Sequence, residues 1–348
     1  MAVYLWILVH FIVAVCFLIS GRSLYYVFYP LVLVISISVY LLKPISYDLA
    51  FYLAYFLNPE PFYEPLFYFI SKLLSVFQNE YTSFVLIIIL SILTYYLALR
   101  ILKISFLKFL SILPLYINSM FFLLGSQNAI RQFLSTTILI LVLSFLIKAR
   151  LKLMYVRNLL LFFIIGILAS LFHWSSLFFL LVVFVIFISL ETIKIKIFHI
   201  RIVYLTNLML GLIISYVIYY YYSEVVFVYL DTSIDWGEER TPNNIKAISI
   251  LFYVYVTQYL LRKQNDYIIK YMLDFRKTYY FFTLPSAFVL GEGFSRMVFF
   301  LYAIDIFVIS LIFSKRESLS LRERTAISIS YIIYGISPNT LNILGTDL

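Results

Sequence analysis

The residues best suited to chemistry in this sequence are two arginines, a histidine and a few acids set among long apolar runs. Arg131 stands in Gly125-Ser-Gln-Asn-Ala-Ile-Arg-Gln-Phe-Leu134, where a glycine and small polar residues end one run and Asn128 is placed to cap the next helix. A guanidinium in the first turn of a helix lies beside backbone N–H groups that lack intrahelical partners, so it suits a phosphate or diphosphate. The plain alternative is an arginine reaching to lipid headgroups. Arg296, in Gly291-Glu-Gly-Phe-Ser-Arg-Met297, repeats the arrangement. His173 precedes Trp174-Ser-Ser, and an imidazole there can act as a base, hold a phosphate, or merely bond two helices. Asp48, Glu64 and Glu292 are the acids nearest the ends of apolar runs, where a carboxylate can accept a proton from a hydroxyl. Asp305 lies deep inside a run and must be paired, protonated or facing a cavity. His10 and His199 are read as structural.

The elements that must position these groups are membrane helices. The chain has 348 residues, 64% hydrophobic and only 12% charged, too little polar surface to cover an aqueous fold. A hydrocarbon core about 30 Å thick needs about 20 apolar residues in helical form. By that measure the expected spans are Ala2–Ser20, Leu24–Leu42, Tyr81–Leu102, Leu107–Leu124, Ala129–Ile147, Asn158–Phe172, Trp174–Leu190, Ile202–Tyr222, Ile245–Leu261, Tyr279–Leu290, Phe294–Phe313 and Thr325–Ile336. The stretch from Asn158 to Leu190 is too long for one upright helix, and a break near His173 makes it a hairpin or a bent pair. The fold class is therefore all-α: one polytopic transmembrane helix bundle over residues 1–348, with about ten to twelve spans, some short or broken, and re-entrant outer loops. The apolar start lacks a basic n-region and a small-x-small cleavage site, so it is expected to be retained.

Lys and Arg concentrate in cytoplasmic loops. With the N-terminus outside, 20 of the 26 basic residues fall on the inner side, including the run Arg262, Lys263, Lys270, Arg276 and Lys277. The outer side receives most of the acids. Two outer segments are long, 43–80 and 223–244. The first carries Asn58-Pro-Glu-Pro-Phe-Tyr-Glu-Pro-Leu66, whose prolines disfavour a helix interior and favour a re-entrant or interfacial loop. The formal charge of +9 is spread over short loops and so reads as a topology signal, with no nucleic-acid partner implied.

The motifs of soluble nucleotide-binding, zinc-protease and hydrolase sites are missing, and one cysteine with three histidines argues against a structural zinc site, so no metal or cofactor is expected. Several short segments together resemble the EpsG/Wzy-type polymerases of bacterial surface polysaccharides, which include O-antigen polymerases. They are Asp48 through Tyr52, Glu64-Pro-Leu-Phe67, Asn128-Ala-Ile-Arg-Gln132, Phe172-His-Trp-Ser175, and Ser295-Arg-Met297 with Phe299-Phe-Leu-Tyr302.

The resemblance implies an enzyme that joins oligosaccharide repeat units carried on undecaprenyl diphosphate, at the periplasmic side of the bacterial inner membrane. On that reading Arg131 and Arg296 hold the diphosphate, His173, Glu64 or Glu292 assists the acceptor hydroxyl, and Asp48, Asp235 and Arg240 are candidate sugar contacts. The expected partners are the lipid-linked oligosaccharides, the bilayer and a chain-length regulator protein. Two other classes remain open, a lipid-linked oligosaccharide flippase or other transporter, and a membrane acyltransferase acting on polysaccharide.

Overall fold

The computed structural model describes the chain apart from residues 19–21, 44, 62, 152–153, 194–195, 198–199, 235–242, 262–265, 291, 316–318, 337–343 and 345–348. Side chains are also undescribed at 22–28, 47, 127–128, 196–197, 200–201, 221–234, 243–246, 292–296, 330 and 333–334. Two compact units form, one from Met1–Val182 with Ile309–Leu348, the other from Val183–Val308. Their boundaries fall inside helices.

The first unit contains α1 (Ala2–Leu18), α2 (Arg22–Leu42), α3 (Tyr47–Leu57), α4 (Pro65–Leu74), a 3₁₀ turn (Ser75–Phe77), α5 (Glu80–Ile101), α6 (Phe106–Ile117), α7 (Met120–Asn128), α8 (Ile130–Arg150) and α9 (Tyr155–Ser170). It also takes the start of α10 (Ser175–Thr192). The second unit continues through a two-residue antiparallel ribbon of β1 (Lys196–Ile197) and β2 (Ile200–Arg201). It then has α11 (Ile202–Ile234), α12 (Asn243–Leu260), α13 (Tyr267–Thr283), α14 (Ser286–Val289) and most of α15 (Glu292–Ser314). The end of α15 and α16 (Leu321–Gly335) belong to the first unit.

Among the described residues five helices are long and apolar enough to cross a bilayer, at Glu80–Ile101, Ile130–Arg150, Ser175–Thr192, Ile202–Tyr220 and Met297–Ser314. The pair α6 and α7, bent by 67°, makes a sixth if it counts as one span. Each run expected to span contains helix, but Tyr279–Leu290 is broken at Pro285 into the end of α13 and the four-residue α14, and several others fall short of a full crossing. At about 1.5 Å per residue the 16 residues of α9 reach only about 24 Å. The outer segment 43–80 is mostly helical, with Pro59 and Pro61 in the stretch between α3 and α4 and Pro65 at the first residue of α4. The ten residues of α4 reach about half a bilayer, so this helix cannot span.

Apolar contact between helices brings no hydrophobic gain in lipid, so packing and polar contacts must hold the first unit together. Its axis is α8, in which 78% of the spanning window is buried, against 28% in α5 beside it. A hydroxyl network crosses this core: Ser91 Oγ meets Tyr116 Oη at 2.9 Å and Thr137 Oγ1 at 3.2 Å, and Tyr95 Oη meets Ser310 Oγ at 2.7 Å. The Tyr95 and Tyr116 rings stack at 4.0 Å. The chain ends are tied as well. Trp6 Nε1 donates to the Gly335 carbonyl, Ser328 Oγ to Ala14, and Arg324 to the Leu18 carbonyl at the C-terminal end of α1, where a cation suits the helix dipole. His10 packs between the Trp6 and Tyr331 rings.

In the second unit the inner-loop reading of Arg276 is corrected. Asp266 caps α13 by accepting from Ile268 and Ile269, so the helix begins at Tyr267, well before the expected Tyr279, and carries Arg276 into the interior. There Arg276, fully buried, donates to Asp305 at 3.2 Å and to the Val254 carbonyl at 3.1 Å. Asp305 is thus paired, one of the three states its depth allows. Removing one member of a buried pair strands the other charge, at a penalty of about 3–5 kcal/mol. Asp305→Leu is therefore expected to lower the melting temperature in detergent, and Arg276→Met added to it to restore most of the loss. A double variant less stable than the single one would contradict this.

Candidate functional site

Four elements of the first unit meet at Glu64. Leu49, Tyr52, Leu53, Tyr55 and Phe56 of α3 recur at helical spacing and pack with Phe67 of α4, Ile87 of α5, Ile130 and Leu134 of α8, and Phe172 after α9. This apolar cluster sets the heights of the surrounding helix ends. The hairpin made by α9 and α10 is close, with Gly166 lying directly against Leu180, and its turn is tied to α4 by Leu66 N–H donating to the Leu171 carbonyl at 3.0 Å. His173 is delivered by that turn, its carbonyl accepting from Ser176 N–H at 2.9 Å.

Glu64 occupies the N-cap position of α4, with Pro65 at the first helical residue, yet its carboxylate makes no cap bond. It is turned to the neighbouring elements and buried at 6% exposure. Its Oε2 accepts from Arg131 Nη1 at 2.6 Å and its Oε1 meets His173 Nδ1 at 2.9 Å, with Trp174 N–H at 3.4 Å from the same oxygen. One carboxylate thus holds an arginine and a histidine that are 42 residues apart in sequence.

Burial alone would raise the Glu64 carboxyl. The hydrogen bonds from His173, the backbone and Arg131, with the charge of Arg131, outweigh that and bring it down to about 2. At neutral pH Glu64 is ionised and can only accept, so this bond puts a proton on Nδ1 of His173 and selects the tautomer whose lone pair lies on Nε2. A carboxyl lowered on folding stabilises the folded protein fully above its ordinary value near 4.5, and the gain fades as pH falls toward about 2. Thermal unfolding of wild type and Glu64→Gln in detergent is expected to differ at pH 6 and to converge as pH approaches 2. A gap that does not narrow would contradict the assignment.

Arg131 is the second residue of α8, which starts without a side-chain cap because Ala129 takes the N-cap position. The expected capping by Asn128 is corrected: Asn128 ends α7, and Gly125 lies within α7, where it allows close approach to Phe133. A cation at a helix N-terminus has the wrong sign for the helix dipole. Arg131 is held there by Glu64, by Tyr52, whose hydroxyl accepts from Nε at 3.2 Å, and by Tyr63, whose ring centroid lies 3.9 Å from Cζ. Nη2 has no partner among the described residues, and the side chain is 23% exposed. The site therefore joins the N-terminus of α8, which has no side-chain cap, an accessible guanidinium edge and an imidazole held by Glu64.

Asp48 is exposed on α3, one turn before Tyr52. Glu292 and Arg296 lie on the first turns of α15, but their side chains are outside the described residues, as are Asp235 and Arg240 altogether. Tyr52 and Tyr63 were not singled out from the sequence. Among 32 tyrosines and 35 phenylalanines an aromatic residue carries little signal, and only their positions next to Glu64 and one turn after Asp48 mark them. Among the described residues no group of three or more His, Cys, Asp or Glu is placed to hold a metal ion.

Residues 24–338 match the EpsG family, nearly the whole length of the chain. The chain belongs to the EpsG family. No curated protein and no solved structure matches it. Membership points to a polysaccharide polymerase embedded in a membrane, with glycosyltransferase-like chemistry.

Proposed function

We propose that this EpsG-family protein joins oligosaccharide repeat units carried on undecaprenyl diphosphate, at the periplasmic face of the bacterial inner membrane. The observation that carries the reading is the Glu64 carboxylate bridging Arg131 and His173. Arg131 marks one end of α8, while Lys148 and Arg150 occupy its last turn about 30 Å away. Since basic ends face the cytoplasm, the bridged site belongs on the outer side.

In the reaction, His173 Nε2 takes the proton of an acceptor hydroxyl while Glu64 stabilises the imidazolium that forms. The hydroxyl oxygen attacks the anomeric carbon of the second chain, and the bond from that carbon to the diphosphate breaks. The electron pair leaves with undecaprenyl diphosphate, whose developing charge meets the Arg131 guanidinium and the N-terminus of α8. With a neutral imidazole the trio Glu64, Arg131 and His173 carries no net charge, and the proton it gains opposes the diphosphate charge. Arg296 and Glu292 are proposed as a further cation and a further acid, and Asp48, Asp235 and Arg240 as sugar contacts, each to be decided by its own substitution.

Purified protein in liposomes, given lipid-linked repeat units, tests the reading. Lengthened chains with release of undecaprenyl diphosphate are expected. Translocation without lengthening would make it a flippase, and acyl addition an acyltransferase.

A further inference from the structure

We infer that Tyr63 and Tyr52 are positioning residues that fix the plane of the Arg131 guanidinium for an isoprenyl diphosphate, an inference that rests on the function proposed above. A guanidinium is a flat fork whose N–H groups recognise phosphate only when the plane faces it, and a free arginine loses that orientation to rotation about several bonds. Here three contacts define the plane. Cζ sits 3.9 Å from the Tyr63 ring centroid, which places the ring as a floor beneath the group. The Tyr52 hydroxyl accepts from Nε at 3.2 Å, and Glu64 Oε2 accepts from Nη1 at 2.6 Å. What remains is the Nη2 edge, which has no partner among the described residues.

The floor is itself anchored. The Tyr55 ring meets Tyr63 edge-on at 4.7 Å and stacks on Phe67 at 5.9 Å, and its hydroxyl donates to the Glu60 carbonyl at 2.7 Å. Tyr63 also meets Tyr52 and Phe67 at 6.1 and 5.8 Å. Glu60 and Tyr63 are thereby pinned to α3 and α4, and the sequence places proline at positions 59, 61 and 65, which limits backbone freedom there. A surface arginine that only met headgroups would need none of this.

The test is binding of farnesyl diphosphate to the purified full-length protein in detergent, by calorimetry. Tyr63→Leu removes the floor, while Tyr52→Phe keeps a buried ring and removes one oxygen, so the second variant remains informative if the first does not fold. Each is expected to weaken binding about ten-fold with the melting temperature of Tyr52→Phe close to wild type, and Tyr63→Phe and Tyr63→Trp to restore it. Arg131→Lys is expected to weaken binding in wild type but to add little in Tyr63→Leu, since the lost orientation is shared. Wild-type affinity in both Tyr63→Leu and Tyr52→Phe would overturn the positioning role while leaving the proposed function standing. If wild type does not bind the probe, or binds it no better than Arg131→Ala does, the diphosphate site and this inference fall together.

Discussion

Replacing Glu64 with alanine is expected to lower the polymerisation rate by about a thousand-fold or more, with protein still present in the membrane. Among the described residues Glu64 bonds both Arg131 and His173, so its loss frees Arg131 at a helix end of unfavourable sign and lets the His173 ring turn and change tautomer. Glu64→Gln is nearly isosteric and should fall almost as far. Its one amide oxygen can face only one of the two partners: an NH₂ facing Arg131 finds no acceptor, and an NH₂ facing His173 calls for the tautomer with a bare Nδ1, which puts the proton on Nε2 and removes the base. Initial rates with lipid-linked repeat units, normalised to membrane abundance by immunoblot, measure both. A Glu64→Gln protein working at the wild-type rate would remove Glu64 from the mechanism.

The second large effect is expected from Arg131→Lys, which keeps the charge and discards the geometry. Lysine has no Nε–H for Tyr52 and no plane to lie on Tyr63, and its ammonium is a point charge that cannot serve Glu64 and a phosphate from fixed directions. A loss of about a hundred-fold or more in kcat is expected, comparable to removal of an oriented donor from a site of developing negative charge. If only the charge mattered, Arg131→Lys would work near the wild-type rate and Arg131→Ala alone would fail. Comparison of the two variants at saturating substrate separates these cases.

The helices were legible because apolar runs of near-bilayer length leave few other structures, although the run Tyr279–Leu290 falls across the end of α13, a turn at Pro285 and the short α14. Full crossings were harder to read, since α9 and α12 differ from a span by a few residues and composition does not register that margin. Arg131, Glu64 and His173 were each marked by polarity beside apolar runs. That Glu64 joins the other two was hidden, because no spacing connects a proline-rich loop, a helix start and a hairpin turn. Arg276 shows the opposite failure. Lying among basic residues it read as a cytoplasmic loop charge, and only the Asp266 cap, which starts α13 early, tells otherwise. Tyr52 and Tyr63 were lost among many other aromatic residues.

The central claim is tested most directly by a structure of the protein with undecaprenyl diphosphate bound. The diphosphate is expected about 3 Å from the Nη2 edge of Arg131, over the first turn of α8, with His173 Nε2 facing the space where the acceptor hydroxyl must enter. Phosphate density at the other end of α8, beside Lys148 and Arg150, with the bridge from Arg131 through Glu64 to His173 left untouched, would contradict it.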